Sequence, residues 1–362
     1  MTLWTFIGRQ WTSLPPAPNG DYLKGKVVLM TGANSGIGLE SLKHFAGASP
    51  ERLILCVRSV EPTEKIVLEL QSLHENLKVE VVYLDLCDLN TIRSLPEELG
   101  KRGVERIDVV INNAGINPGN AVKDPDFTKD GYERTFQSNV LSPLFTSLTL
   151  LPLLSNSPKP KILFLGSGLH TSAETDLIER GLLEGESIVA VFNDRTGQGF
   201  DNRQIYGESK LLLQMLTRSL IPSLPNINII TVSPGLARTN LGRDFNFSPG
   251  FVIFGAPFLL LNARSAEKGA RNVSSAVALA EQSYDVSELV SGIWWCCEII
   301  QNGDGENVQG GRQRYWAECG PSYSESSWLS SGNGIKACKA FYKEMIEEVE
   351  KISPGLTKEL VV

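Results

Sequence analysis

The chain has 362 residues, enough for one large α/β core or two smaller ones. Hydrophobic residues make up 42%, charged residues 21%, and the net charge is −7, which argues against binding nucleic acid or an anionic membrane through bulk electrostatics. Six cysteines without a CxxC pair read as reduced thiols, and three histidines (His44, His74, His170) without ligand spacing argue against a zinc site.

In chain order, "MTLWTFIGRQW" lacks the basic and apolar regions of a secretory signal, so a cytoplasmic location is expected. Residues 1–25, ending in the linker-like "PPAPNG", are read as an N-terminal extension. "KVVLM" is a strand that leads through a glycine-rich turn into the helical "IGLESLKHFAGA". "RLILCV" precedes a helix near Pro62 to His74, and "VEVVYL" precedes a helix after Asp88. "IDVVINNAG" leads to a long helix through Leu154, and "KILFLGS" to a long loop. A helix carrying Tyr206 follows, then the strand "INIITVSPG".

Apolar runs without period-2 alternation, separated by helices, describe a parallel sheet buried on both faces. The expected fold class is α/β, a doubly wound parallel sheet of the Rossmann type, with ligands at the carboxyl ends of the strands. The catalytic domain is placed at residues 26–300, with an insert at 170–202, a substrate-side segment at 241–262 and a C-terminal extension at 301–362. In its last part, "RSAEKGARNVSSAVALA" reads as a helix and "SGIWWCCEII" as a last strand. "ACKAFYKEMIEEVEKI" reads as an amphipathic helix. The most apolar stretch, Phe251 to Leu261, is too short to span a bilayer and reads as a wall of a pocket or core.

The turn "TGANSGIG" joins strand to helix, and Gly32, Gly36 and Gly38 let backbone approach a pyrophosphate at the helix N-terminus. The spacing is GxxxGxG instead of GxGxxG. After the second strand stands "CVRS", where Arg58 suits a 2′-phosphate by charge and paired donors, whereas an acid would select NAD. The cofactor expected is therefore NADP(H). Farther on, "YGESK" puts Tyr206 and Lys210 one helical turn apart, on one side of an amphipathic helix.

"TGANSGIG", "LDL" at 84–86, "NNAG" at 112–115, Asn139 in "QSNV", "LGS" at 165–167, "YGESK" and "SPGLART" at 233–239 together resemble the short-chain dehydrogenase/reductase family, in its order from about Lys26 to Thr239. The resemblance implies a catalytic set of Ser167, Tyr206, Lys210 and Asn139. It implies cofactor contacts from Gly32, Asn34, Ser35, Gly36, Ile37 and Gly38 in the turn, from Asp85 and Leu86 at the adenine, and from Asn113, Ala114 and Gly115. Tyr206, Lys210, Pro234, Gly235 and Thr239 complete the set, Asn113 facing the inner ribose and Asn112 bracing the sheet. The extensions and the "WTFIGRQW" start look like fungal biosynthetic reductases of the retinol dehydrogenase branch.

In this chemistry a phenol of ordinary pKa near 10 exchanges protons poorly at neutral pH, and a neighbouring ammonium is expected to lower it. Tyr206 would then protonate a carbonyl oxygen as hydride arrives, while Ser167 holds the same oxygen. Pro143, four residues after Asn139, leaves the Asn139 carbonyl without its helical donor, either free for a proton-relay water or marking a simple kink. Ser167 and Tyr206 are 39 positions apart, wider than is usual in the family, and the insert between them, with Phe192 and Phe200, is expected to fold over the site as a mobile apolar cover, a surface loop packed on the outer helices being the other reading. The expected activity is NADPH-dependent reduction of a ketone or aldehyde on a bulky apolar metabolite. Alcohol oxidation, a non-redox cyclase and an NADP sensor are the other readings. The partner expected is a small-molecule substrate, with no nucleic acid and no transmembrane segment. Oligomeric state is left open, a homodimer being one reading.

Overall fold

A computed structural model describes residues 8, 10–119, 124–194, 201, 204–239, 241, 261–280, 315–322 and 325–360. The apolar runs form strands β1 (Val27–Thr31), β2 (Arg52–Val57), β3 (Val79–Tyr83), β4 (Val109–Asn112), β5 (Lys161–Leu165) and β6 (Asn228–Val232). Two short strands, β7 (Tyr315–Ala317) and β8 (Gly320–Pro321), extend the same sheet, whose order is β3-β2-β1-β4-β5-β6-β7-β8. The first seven strands are parallel and β8 returns antiparallel to β7. The chain winds outward from β1 to β3, then crosses back to β4, so the switch in strand order lies between β1 and β4. Doubly wound sheets bind ligands in that crevice.

Both faces of the sheet are buried, which is why its strands read as continuous apolar runs. Successive residues of a strand enter opposite cores: Val27 and Leu29 of β1 join one cluster, Val28 and Met30 the other. The second cluster is covered by α1 (Gly36–Ala46), α2 (Val60–Leu73) and α11 (Ala266–Leu279). On the opposite face α3 (Leu89–Arg93) and α4 (Leu95–Lys101) come first. They are followed by α5 (Arg134–Phe136), α6 (Ser142–Thr149), α7 (Leu151–Leu154), α8 (Asp176–Leu183), α9 (Ile188–Phe192), α10 (Ile205–Ser223) and α12 (Gly332–Ile352). No helix among the described residues is long and apolar enough to cross a membrane.

Two expectations change, and a third cannot be compared. The single helix through Leu154 is broken: a π-turn at Gln137–Leu141 separates α5 from α6, and the Ser142 N–H donates to the Gln137 carbonyl. Pro143, with no N–H to give, follows at once and cannot continue an α-helical ladder. The helix carrying Tyr206 is not amphipathic, since Ile205 to Thr217 are all buried. Its outer side is closed by α12, whose Phe341, Met345 and Val349 are fully buried in the same core as Leu212 and Leu216. The strand expected in "SGIWWCCEII" lies outside the described residues.

Candidate active site

The carboxyl end of β1 turns at Thr31 into α1, and three glycines let other parts of the chain close on that turn. Gly32 has φ +67°, and a Cβ there would meet the Ala114 Cα at 2.9 Å. Gly36 has φ +55°, and a Cβ would sit 3.2 Å from the Thr239 Cβ, so the loops after β4 and β6 both abut the turn. At Gly38 a Cβ would lie 2.2 Å from the Gly32 carbonyl oxygen. The first turn of α1 carries no acid, and Ser35 at its N-cap makes no side-chain cap, so its amides suit an anionic group. Asn34 and Ile37 are half-buried and Ser35 is exposed beside them.

Asn113 is tied to the turn itself. Its Nδ2 donates to the Thr31 and Gly32 carbonyls, both at 2.9 Å, so the side chain braces the turn. Thr31 Oγ1 completes the brace by accepting the N–H groups of Asn113 and Ala114 at 3.1 and 3.0 Å. Thr31 carried no signal beyond its place as the first letter of "TGANSGIG". Asn112 does tie sheet to helix, donating to Ser147 Oγ at 2.9 Å.

Beyond β2 and β3 lie Arg58, Asp85 and Leu86. Arg58 is exposed, with no hydrogen bond or ion pair to another described residue. Asp85 Oδ1 accepts the Cys87 N–H at 2.9 Å, and the Leu86 carbonyl accepts from Ser142 Oγ at 2.6 Å. Burial pushes the Cys87 thiol up, and Arg58 and Asp85 act on it in opposite senses, so the two loops converge.

Ser167 follows β5, and Tyr206 and Lys210 lie on α10; the structure brings all three together with Asn139. The Tyr206 hydroxyl shares a hydrogen bond with the Ser167 side chain, which also accepts the Leu169 N–H at 3.2 Å. Lys210 Nζ stands 5.6 Å from the Tyr206 ring centroid and donates to the Leu165 carbonyl at 2.7 Å. Asn139 is clasped by the Ile116 backbone, accepting its N–H and donating to its carbonyl, each at 2.9 Å. Its Nδ2 also donates to Ser209 Oγ at 3.0 Å, which ties the π-turn to the helix of Tyr206. Ser209 was not anticipated, although it sits inside "YGESK". Gly115 is needed small: a Cβ there would meet Asn139 Oδ1 at 2.9 Å and Lys210 Nζ at 3.7 Å.

The electrostatics reverse one expectation. Burial pushes the Tyr206 phenol up to about 12, against which the Ser167 hydrogen bond pulls it back only in part. Burial also brings Lys210 down to about 8. Burial is the leading cause of both shifts, so the lowering of the phenol expected from Lys210 is not what sets it here. Between them in sequence stands Glu208, 3% exposed, whose Oε2 has no hydrogen-bond partner among the described residues. Burial pushes its carboxyl up to about 8, and the nearby Glu174, Asp201 and Asp176 act in the same sense.

The insert between Ser167 and Tyr206, expected as a mobile apolar cover, is packed in its described part. Ile178 of α8 and Ile188, Val189 and Phe192 of α9 belong to the main core, with Phe192 stacked on Phe136 at 6.4 Å. Glu344 of α12 accepts from Ser187 Oγ at 2.7 Å and from the Val189 N–H at 2.9 Å, holding α9 down. Phe192 is therefore a core residue, held inward by the anchoring of α9 to α12. Phe200 and residues 242–260 of the substrate-side segment lie outside the described residues. No cluster of metal-ligating side chains occurs among the described residues.

A family model described as short chain dehydrogenase matches residues 26–176. The chain is 32% identical to a short chain dehydrogenase of Emericella nidulans, over 75% of this chain and 85% of that one. It is 29% identical to retinol dehydrogenase 13 of Mus musculus, over 78% and 80%. Among solved structures, an NADPH-dependent 3-quinuclidinone reductase from Rhodotorula rubra shares the fold with a TM-score of 0.54 and 20% identity, over 75% of this chain and 93% of that one. With this sheet order, phosphate-type turn and Ser–Tyr–Lys grouping, the chain belongs to the short-chain dehydrogenase/reductase family of oxidoreductases.

Proposed function

We propose that the chain is an NADPH-dependent reductase acting on a ketone or aldehyde of a bulky apolar metabolite, with Tyr206 as proton donor. The observation that carries this reading is the buried Tyr206, hydrogen-bonded to Ser167 with Lys210 at its ring. A phenol pushed up to about 12 keeps its proton throughout the neutral range but gives it up poorly, so transfer would rely on the charge of Lys210 to steady the phenolate. Bound nicotinamide would supply the hydride. As the carbonyl carbon gains that hydride, its π electrons move to oxygen and Tyr206 gives its proton there. Ser167 Oγ, sharing a hydrogen bond with the phenol, would hold the same oxygen and orient the carbonyl. Lys210, fixed by the Leu165 carbonyl, would bind the ribose hydroxyls and, while charged, steady the phenolate left behind. Asn139 keeps the π-turn locked to α10 through Ser209, so the group stays assembled.

The glycines of the turn and the uncapped, acid-free start of α1 fit a pyrophosphate. Arg58, standing in "CVRS" at the end of β2 where an acid would select NAD, favours a 2′-phosphate and hence NADPH. The apolar run Phe251 to Leu261 supports an apolar substrate. The test follows NADPH absorbance against a panel of ketones and aldehydes, with the alcohol product confirmed by mass spectrometry. Tyr206→Phe should lower kcat by about 10²- to 10⁴-fold while leaving NADPH affinity near that of the parent. A variant that keeps normal turnover would remove Tyr206 from the chemistry.

A further inference from the structure

Part of the N-terminal extension is seated on the loop that follows β6. Arg264 is only 6% exposed, and its Nε–H donates to the Gln10 carbonyl at 3.3 Å. The backbone of Arg264 bridges the loop: the Arg238 N–H donates to its carbonyl at 2.8 Å, and its own N–H donates to the Leu236 carbonyl at 2.9 Å. Gly235, at φ +75°, lies against both partners. A Cβ there would stand 3.1 Å from an Arg264 guanidinium nitrogen and 3.5 Å from the amide atoms of Gln10. Two further ties fasten the segment. The Trp11 indole N–H donates to Asn262 Oδ1 at 2.8 Å. The Arg271 guanidinium, itself held by Glu267, donates to the Leu14 and Pro15 carbonyls at 3.3 and 3.2 Å. At its far end the same loop reaches the phosphate turn, where Thr239 touches Gly36.

We infer that residues 10–15 form a strap that holds the Ser233–Thr239 loop in its cofactor-binding shape, with Arg264 as the positioning residue through which the strap acts. The inference rests on the reading of Pro234, Gly235 and Thr239 as cofactor contacts. Apart from the bridge at Ala237, the loop has no regular hydrogen-bonded structure of its own. Ordering it at the moment of binding would cost affinity, and a strap that orders it beforehand removes that cost. Such a device changes how tightly the cofactor is held and leaves the proton-transfer group alone.

The test compares the parent with a variant lacking residues 1–12, with Arg264→Gln, with the two combined, and with Trp11→Phe. NADPH Kd is read by calorimetric titration, together with Tm and kcat at saturating NADPH. Arg264→Gln should raise Kd about tenfold, and the deletion, which also removes the Trp11 bond, about thirtyfold, each with kcat within twofold of the parent. The combined variant should be no weaker than the deletion alone, because both break one contact. Trp11 is 71% exposed, so Trp11→Phe keeps the fold and removes only the indole bond; a rise in Kd of about threefold is expected. That variant decides the matter if the others do not fold. An unchanged Kd in the soluble variants overturns the strap, as does a Kd that rises only together with a collapse of Tm and kcat. A parent that binds no NADPH overturns the cofactor reading itself, a different result from a parent and variants that bind equally well.

Discussion

Replacing Gly38 by alanine tests the phosphate turn at its tightest point. The new Cβ would stand 2.2 Å from the Gly32 carbonyl oxygen and 2.6 Å from Asn113 Nδ2, where ordinary contact is 3.4–4 Å. The first neighbour is backbone and cannot rotate away. The second is committed to the Thr31 and Gly32 carbonyls at 2.9 Å. Overpacking of this kind costs ~1–3 kcal/mol, and a weakened hydrogen bond to Gly32 adds ~1 kcal/mol, giving ~2–4 kcal/mol in all. Because the displaced atoms form the cradle itself, most of this should appear as weaker NADPH binding, about thirty- to several-hundredfold in Kd. Calorimetric titration measures it, with Gly100→Ala as control. That glycine has nothing within 4 Å of its missing Cβ, so alanine there should leave Kd unchanged. A Gly38→Ala protein that binds NADPH as tightly as the parent would refute the assignment of this turn to the cofactor.

Arg58→Asp should narrow or reverse the preference for NADPH over NADH, weakening NADPH about ten- to a hundredfold through loss of one charge-assisted contact, measured by titration with both cofactors. With Tyr206 protonated up to about pH 12 and Lys210 losing its charge near 8, kcat/KM for reduction should hold level below pH 8 and decline above it. Lys210→Arg, slower overall, should lack that decline, since a guanidinium keeps its proton; a decline at the same pH would exclude Lys210 as its source. Glu208 gives a stability test. Its folded pKa of about 8 lies above the ordinary 4.5, so the folded protein loses stability as pH rises through that window and is not penalised below it. Glu208→Gln should therefore melt close to the parent at pH 5 and clearly above it at pH 9, and a constant Tm difference would count against a buried, titrating carboxyl.

The sequence by itself determined what depends on local spacing. Strands buried on both faces must read as unbroken apolar runs, so the parallel sheet was visible in "KVVLM", "RLILCV" and "INIITV". A turn that admits neighbouring chain segments needs residues without a Cβ, which marked Gly32, Gly36 and Gly38. One helical turn sets Tyr206 beside Lys210. What packs over a side chain is a different quantity, decided by residues far away in the chain. Asn113 braces the turn through the Thr31 and Gly32 carbonyls, and Phe192 went to the core because Glu344 and α12 hold α9 down. The direction in which Tyr206, Glu208 and Lys210 titrate depends on how completely they are desolvated. That desolvation exists only once distant segments close on the start of α10, Leu169 and Ala173 against Gly207 and Gly115 against Lys210, for spacing places charges while tertiary packing sets the medium in which they act.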